Sequence, residues 1–310
     1  MGGTGHGALS LEEVAARLRR IEHSRQVARA VRMVSLADRS SPTWVEEVEV
    51  RKEVDATYLR DWARSEFGDE VDAILIEFIE DVRDGIRDPD WDDGSLYAEW
   101  ELAFDVLGHV ATTKAVDFLE RTGGYAFKTG ADPESDVWFS ARYAVRAMAL
   151  VGGDRAREVL MAWFDAVNEL WELDENILWE LLPAVTPYLN ANHVSKVLWL
   201  GSLRTQDVFK QVHRAISAHS ELFRPLVIDG LRRRDPLVAG VLYPLFRGTT
   251  EPEEKRLLQE VHDDPAADST LREGAGSVLD DAKPPPPQPR PIGREQISRW
   301  RSLAAEASDG

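Results

Sequence analysis

Residues 140 to 164 read SARYAVRAMALVGGDRAREVLMAWF. The apolar residues of this stretch recur every three or four positions, as they do on the buried face of a helix, until two adjacent glycines interrupt them. The same spacing then resumes. Because glycine commonly ends helices, the stretch predicts two helices joined by a short turn at Gly152 and Gly153.

The same layout occurs 43 residues earlier in the chain. Residues 96 to 124 read LYAEWELAFDVLGHVATTKAVDFLERTGG, which predicts a helix, a glycine-containing turn and a second helix. The offset aligns pairs of apolar or aromatic residues, namely Trp100 with Tyr143, Leu102 with Val145, Leu107 with Leu150, and Val116 with Val159. A repeat of about 40 residues made of two helices is typical of a helical solenoid. We expect looser copies from 175 to 262 and a closing helix at 268 to 279.

Residues 141 to 164 resemble a HEAT repeat, with an alanine-rich and basic first helix, a turn at Gly153 and Asp154, and a second helix beginning near Ala156. The stretches RRDPLVAGVLYPLF and DDPAADSTLREGAGSVL resemble the usual opening of that repeat, in which Asp-Pro precedes the first helix. An arginine can follow, and it is Arg272 in one copy, whereas Ala239 stands near that position in the other. The resemblance covers residues 41 to 282 and implies an α-solenoid with a concave ligand surface.

Capping signals indicate further helix boundaries. Ser41-Pro42 predicts the start of one helix, because serine caps helices and proline fits their first turn, and Asp55 predicts the start of the next. Residues 70 to 87 have the cleanest amphipathic pattern. Since runs of β-branched residues bounded by turns do not recur along the chain, we expect an all-α fold.

The sequence suggests four segments. Residues 1 to 40 contain a basic amphipathic helix with an apolar stripe and six arginines around it, which we expect to cap the helical body, the alternative being a partner-binding or membrane-surface helix. Residues 41 to 282 form the acidic HEAT-like solenoid. Residues 283 to 292 form a proline-rich linker. Residues 293 to 310 form a short amphipathic helix or a disordered tail.

Charge indicates the kind of partner. Residues 1 to 40 contain seven arginines and four acids, and residues 283 to 310 contain five bases and three acids, so both ends are positively charged. The residues between them therefore have a net charge of −23, whereas the whole chain has −18. An acidic body repels nucleic-acid phosphates and membrane surfaces. We therefore expect the partner to be another protein or a peptide with a basic or amphipathic segment, and no direct binding of nucleic acid or membrane. The alternative is that the acidity only maintains solubility.

The chain has no cysteine, which excludes disulfides and thiolate chemistry. Neither a signal peptide nor an apolar run long enough to span a membrane is found, so we expect a cytoplasmic protein. The sequence lacks the HExxH, GxSxG and phosphate-loop motifs, and its seven histidines form no metal template. We therefore expect no cofactor.

Residues 88 to 99, DPDWDDGSLYAE, place Asp88, Asp90, Asp92 and Glu99 at the ligand positions of a helix-loop-helix calcium site. The required glycine at position six is replaced by Asp93, and Gly94 follows one residue late. The alternative is an ordinary acidic loop between two helices. Calcium binding stays open at this point.

Ten tryptophans are many for a chain of this length. Five lie in the central repeats, namely Trp138, Trp163, Trp171, Trp179 and Trp199. We expect them to form the core between helices, the alternative being an aromatic ligand groove. We expect the basic run Arg232 to Arg234 to be a solvated turn at a helix end, the alternative being an anion site.

The last segment contains IGREQISRWRSLAAEA, in which Ile297, Trp300 and Leu303 share one helical stripe. Arginines surround that stripe. Such a helix on a stiff tether suits docking in a groove, either on another protein or back on this chain. The candidate partner-binding residues of this tail are Ile297, Arg299, Trp300, Arg301 and Leu303.

The resemblance implies that the second helix of each hairpin lines the concave surface, so we expect recognition along 114 to 121 and 157 to 168. The candidate residues there are Lys114, Asp117, Arg121, Arg157, Glu158 and Asp165. We expect a non-enzymatic scaffold, adaptor or regulatory subunit that binds a protein or peptide.

Two alternative functions are considered. In the first alternative, the acidic body occupies the basic surface of a nucleic-acid-binding protein and inhibits it, which predicts a salt-sensitive complex. The second alternative is an enzyme, because some HEAT-like proteins resemble alkylpurine DNA glycosylases and others resemble bilin lyases. A glycosylase would need a basic concave stripe, which an acidic body lacks, and no residue points to a lyase.

Overall fold

The structure is a computed structural model that describes residues 9–85, 96–128, 136–167, 175–202, 206–280 and 291–307. Within these ranges the chain is helical, and the only pairing of extended residues is an isolated bridge between Thr43 and Pro291. The all-α prediction is therefore confirmed. No helix in the same ranges combines the length and the apolar character needed to cross a membrane.

Fifteen α-helices lie in the described ranges. In chain order they are α1 (Leu11–Ala37), α2 (Trp44–Phe67), α3 (Val71–Gly85), α4 (Tyr97–Val110), α5 (Thr113–Tyr125), α6 (Asp136–Val151), α7 (Gly153–Ala166), α8 (Glu175–Val185), α9 (Val194–Ser202), α10 (Gln206–Ala218), α11 (Ser220–Arg233), α12 (Leu242–Phe246), α13 (Pro252–Asp263), α14 (Ser269–Leu279) and α15 (Arg294–Glu306). Short 3-10 helices precede α3, α9 and α12.

The helices form two compact units. The first comprises Met1–Ala126, Glu134–Ala156 and Pro287–Gly310, and the second comprises Phe127–Pro133 and Arg157–Pro286. The division crosses residues 41 to 282, which the sequence analysis treats as one body. The first unit contains α1 together with α15, so the two ends of the chain belong to the same unit.

Helices α1 and α2 both begin with a capping box. The Ser10 hydroxyl accepts from the Glu13 backbone N–H at 3.3 Å, and the Glu13 carboxylate accepts from the Ser10 N–H at 2.8 Å. Thr43 and Glu46 repeat the arrangement at the start of α2. This corrects two sequence predictions: the cap of α2 is Thr43 and not Ser41, and α2 continues through Asp55 without a second start.

The turn at Gly152 and Gly153 is confirmed. Helix α6 ends at Val151 and α7 begins at Gly153, and both glycines have positive φ angles, of 68° and 74°. The earlier hairpin turns differently from the sequence prediction. Gly108 lies inside α4, and the left-handed residue between α4 and α5 is Ala111, with a φ of 51°.

Gly108 allows α4 to approach α6 closely. A methyl group at Gly108 would overlap the backbone carbonyl oxygen of Ala147. Nearby, the rings of Trp100 on α4 and Tyr143 on α6 meet edge to face with centroids 5.2 Å apart, and both residues are buried. The two first helices that the 43-residue offset aligns are thus in direct contact.

The aligned positions are not all equivalent. Leu102, Val145, Val116 and Val159 are buried, in agreement with the repeat. Leu107 is fully buried, whereas its counterpart Leu150 is 38% exposed. The 43-residue offset therefore aligns residues of equal burial in the hairpin cores. It does not do so at the C-terminal end of α6.

The second unit is held by similar contacts. Helix α10 packs on α8 and α9, and α13 packs on α14. The Arg224 guanidinium on α11 donates to the Glu254 carboxylate on α13 at 2.7 Å. Arg234, which ends α11 in a left-handed conformation, donates to the Asp264 carboxylate at 3.0 Å. The last arginine of the run at 232 to 234 is therefore part of a helix cap that joins α11 to the turn after α13.

The central tryptophans have different environments. Trp163 is buried and stacks on Phe127 with centroids 5.6 Å apart, as expected for a core residue. Trp179 and Trp199 are half-buried. Trp171 and the side chain of Trp138 lie outside the described part of the chain.

We expect Gly108→Ala to lower the free energy of unfolding by about 1 to 3 kcal/mol, because the added methyl group forces α4 and α6 apart. Ala111→Gly is the matched control three residues away. It removes a side chain from a left-handed position, and we expect no loss of stability. Urea unfolding curves of both variants test this, and equal losses would contradict the role assigned to Gly108.

Candidate functional site

Helix α5 presents a row of exposed charged residues. Lys114, Asp117 and Arg121 are exposed and lie three and four positions apart, on one face of the helix. The other face is buried. The Arg121 guanidinium lies 5.8 Å from the centre of the Phe118 ring, whereas the side chains of Lys114 and Asp117 have no partner among the described residues. The charges of Lys114 and Asp117 therefore form no contact that stabilises the described part of the fold.

The three candidates on α7 lie in the second unit. Arg157 and Glu158 are exposed, and Arg157 follows Lys114 by the repeat offset of 43 residues. The exposed carboxylate of Asp165 lies 3.8 Å from the Lys196 ammonium. Lys196 also donates to the backbone oxygens of Phe164 and Asp165, at 2.8 and 2.7 Å, so it caps the end of α7. Asn168, the last residue of the predicted recognition stretch, lies outside the described residues.

A buried ionic cluster joins α1 to α2. The Asp55 carboxylate on α2 accepts from Arg25 at 2.7 Å and from Arg29 at 2.7 and 2.8 Å. These side chains are only 17%, 13% and 18% exposed, respectively. Burial, and then the proximity of Arg25, lowers the pKa of Arg29. The sequence predicts these arginines on the polar side of a capping helix, whereas in the structure Arg25 and Arg29 are largely enclosed between helices.

The cluster continues to α4 and α6. The Asp105 carboxylate on α4 accepts from Arg146 on α6 at 2.9 Å, and it lies 4.0 Å from the Arg25 guanidinium. Arg146 also pairs with Glu101. Burial raises the pKa of the Asp105 carboxyl, and the two arginines oppose that effect. Charges on four helices thus compensate one another inside the first unit. Their role in the structure is to hold these helices together.

Glu99 belongs to the predicted calcium loop. Its carboxylate is buried and accepts from the Arg19 guanidinium at 2.5 Å, next to a cavity of about 480 Å³ between α1 and α4. Residues 88 to 95, which contain the other predicted ligands, lie outside the described residues. In the part of the chain that the structure describes, no group of three His, Asp or Glu side chains is placed to hold a metal ion.

An acidic hollow between α1, α2 and α3 was not foreseen from the sequence. Its volume is about 660 Å³, and its apolar lining includes Leu11, Val14, Ile74 and Phe78. Four carboxylates surround that lining, namely Asp69, Glu70, Glu77 and Asp81. All four are exposed, and none has a side-chain partner among the described residues. The acidic residues of α3 were visible in the sequence, but part of the apolar lining, Leu11 and Val14, comes from α1, some 60 residues away.

The tail helix α15 packs on α1 and α2 of its own chain. Trp300 is 5% exposed and belongs to one apolar cluster with Ala30, Met33, Val50 and Val54. Ile297 and Leu303 pack against the same cluster and are half-buried. The stripe expected from the sequence is therefore the docking face. The structure seats it on this chain, an alternative that the sequence left open.

Polar contacts lie before and along α15, and its side-chain ion pair with Asp38 is exposed. The Ile292 backbone N–H donates to the Pro42 oxygen at 2.8 Å, next to the bridge between Thr43 and Pro291. The Arg301 guanidinium donates to the Asp38 carboxylate at 3.2 Å, with both side chains more than half exposed. Arg299 is exposed and has no ion-pair partner among the described residues. Exposed pairs contribute little, so the apolar stripe supplies most of the docking energy.

We expect Asp55→Asn to lower the free energy of unfolding by about 3 kcal/mol, because it removes the carboxylate that the largely buried guanidinium groups of Arg25 and Arg29 share. Glu49→Gln on the same helix is the matched control. Its partner is Lys52, and both side chains are more than 60% exposed, so we expect little change. Urea unfolding at neutral pH measures both, and similar losses would contradict the importance of the buried cluster.

His109 makes stability depend on pH. Burial lowers its pKa below the ordinary value of 6.5, with Arg25 and Arg60 acting in the same direction and Asp55 opposing them. Above that value both the folded and the unfolded protein have neutral His109, whereas below it the unfolded protein binds a proton that the folded protein does not. Stability from this group is therefore lost as the pH falls from about 6.5 towards the folded pKa.

We expect wild-type protein to lose more unfolding free energy than His109→Gln between about pH 7.5 and about pH 5.5. Effects of other groups, such as the half-buried His213, are common to both proteins and cancel in the difference. Urea unfolding at the two pH values provides the measurement. Parallel losses in the two proteins would show that His109 is not the group responsible.

Comparisons with protein-family models, with curated proteins and with solved structures find no match for this chain. The features that bear on function are therefore the surfaces described above. Two of them carry exposed charges that the fold does not pair, the α5 row and the acidic hollow, and a third is the groove that holds α15.

Proposed function

We propose that the protein is a non-enzymatic scaffold, adaptor or regulatory subunit, built as an α-solenoid of HEAT-like hairpins, that binds a protein or peptide. The observation that carries the proposal is a contrast between charged residues. Inside the first unit, arginines and carboxylates of α1, α2, α4 and α6 are paired. Lys114 and Asp117 on α5, and the carboxylates around the acidic hollow, have no partner among the described residues.

The contact between α4 and α6 supports the solenoid part of the proposal. In a solenoid, equivalent helices of successive hairpins lie side by side and bury their apolar faces against each other. Trp100 and Tyr143, which are equivalent in the repeat, make such a contact, and Arg146 on α6 reaches Asp105 on α4 beside it. The continuation of this array through the later hairpins is part of the proposal.

The acidic hollow supports a basic and amphipathic partner. Its apolar lining suits apolar side chains, and its four carboxylates suit lysine or arginine at the edges of the same segment. Arg17 is the one basic side chain of the lining, and it already donates to the Glu66 backbone oxygen at 2.6 Å. The hollow therefore offers uncompensated negative charge to a ligand.

We expect the double variant Lys114→Glu/Arg121→Glu to lose partners that the wild-type protein captures from cells, because it reverses the charge of the α5 row. The double variant Lys255→Glu/Arg256→Glu on α13 is the matched control, since both residues are exposed and it changes the net charge by the same amount. We expect it to retain those partners. Affinity capture followed by mass spectrometry measures this, and an unchanged partner set in the first variant would contradict the role of α5.

A third variant, Glu77→Lys/Asp81→Lys, tests the acidic hollow. We expect it to release partners that also dissociate as the salt concentration rises, because screening weakens exposed charge pairs. Retention of all salt-sensitive partners would contradict the assignment of a basic ligand to the hollow. The wild-type protein captured in parallel at low and at high salt defines which partners are salt-sensitive.

A further inference from the structure

The groove between α1 and α2 is already shown to accept a helix. Helix α15 places Trp300 against Ala30 and Met33 of α1 and against Val50 and Val54 of α2. The occupied groove therefore defines its ligand: an aromatic residue at the centre with aliphatic residues three positions away on either side.

Helix α15 does not fill the available surface. A cavity of about 240 Å³ remains beside Trp300, between α15 and the side chains of Arg29, Met33 and Arg51. A second cavity, of about 580 Å³, lies against Glu306 and Ala307. Its apolar lining consists of Val27, Ala28, Val31, Tyr58 and Trp62, of which Val31 is 45% exposed. A longer helix seated in the same groove would cover apolar surface that α15 leaves open.

The contacts of α15 suit a segment that can be displaced. The helix has 13 residues, and helices of that length are marginal unless packing supports them. Its edge contacts, Arg301 with Asp38 and His23 with Glu306, join side chains that are more than half exposed. The segment is tethered to the chain, so its occupancy depends on a high effective concentration as well as on contact energy. A free helix with more apolar contacts can compete with it.

We propose that the groove between α1 and α2 is a docking site for a basic amphipathic helix of another protein, and that α15 is an internal ligand which this helix displaces. The spacing of Ile297, Trp300 and Leu303 defines the apolar side of the partner helix. Asp38 pairs with Arg301 at one edge and favours arginine or lysine there, whereas Glu22 and Glu47, which also lie at the groove, already pair with Arg25 and Arg51. This site is separate from the α5 row and the acidic hollow, and the proposal does not rest on the function proposed above.

The test uses the full-length protein and a fluorescent synthetic peptide of residues 291 to 307, with the Trp300→Ala peptide as matched control. The full-length variant Trp300→Ala vacates the groove, and a second variant, Ile297→Asp/Leu303→Asp, vacates it by charge. We expect the peptide to bind both variants at least about tenfold more tightly than the wild-type protein, because tethered α15 competes in the wild type. The control peptide is expected not to bind.

The double variant Trp300→Ala/Asp38→Arg tests whether the peptide binds in the groove between α1 and α2. We expect the peptide to bind this double variant more weakly, because Asp38 pairs with Arg301 at an exposed position where substitution leaves the fold intact. Equal affinity for wild type and both vacated variants would overturn the proposal. So would absence of binding to vacated variants that circular dichroism shows to be folded. A wild-type mass that doubles with concentration and reverts in Trp300→Ala would assign the groove to the tail of a second copy and overturn the external partner.

Discussion

The packing of the first unit depends on the ion pairs that the Asp55 carboxylate makes with Arg25 and Arg29. The carboxylate binds two arginines on adjacent turns of α1, and a buried guanidinium without a carboxylate is costly, so both the rotation and the position of α1 on α2 are set by it. With α1 in that orientation, Leu18 and Ile21 enter the core. Met33 then faces α15, and Leu11 and Val14 line the acidic hollow beside α3. The α15 groove and the acidic hollow thus share one electrostatic anchor.

The local structure was largely predictable because its causes are local. The spacing of apolar residues predicted the hairpin of α6 and α7, and Gly152 and Gly153 have the positive φ angles expected of a turn. The same reasoning failed for α4. The sequence predicts a turn at Gly108, yet this residue lies within the helix, where the backbone of Ala147 passes too close for a side chain. A glycine required by a neighbouring helix and a glycine required by a turn look alike in a single sequence.

The candidate site was less predictable because it joins distant residues. Asp55 lies 30 residues from Arg25, and Arg146 lies 41 residues from Asp105, so their pairing follows from helix packing and not from any spacing rule. The arginines of α1 have the spacing expected of an exposed capping helix. Whether such arginines are exposed or enclosed in ion pairs depends on the acids of α2 and α4 that pack against them. By contrast, the apolar stripe of α15 was evident in the sequence, since its residues are three positions apart. Its binding surface was not.

The tail shows why a docking face and a core face are physically the same thing. Without α15, the side chains of Ala30, Met33, Val50 and Val54 would lie at the surface of the first unit. An apolar patch of that kind promotes association with other chains, and covering it reduces that association. A cover that is short and tethered satisfies this need while it remains exchangeable, because its contribution to stability is limited by the burial of one tryptophan and three half-buried neighbours. The same cluster therefore completes the fold when α15 is present and offers a recognition surface when a better-fitting helix replaces it.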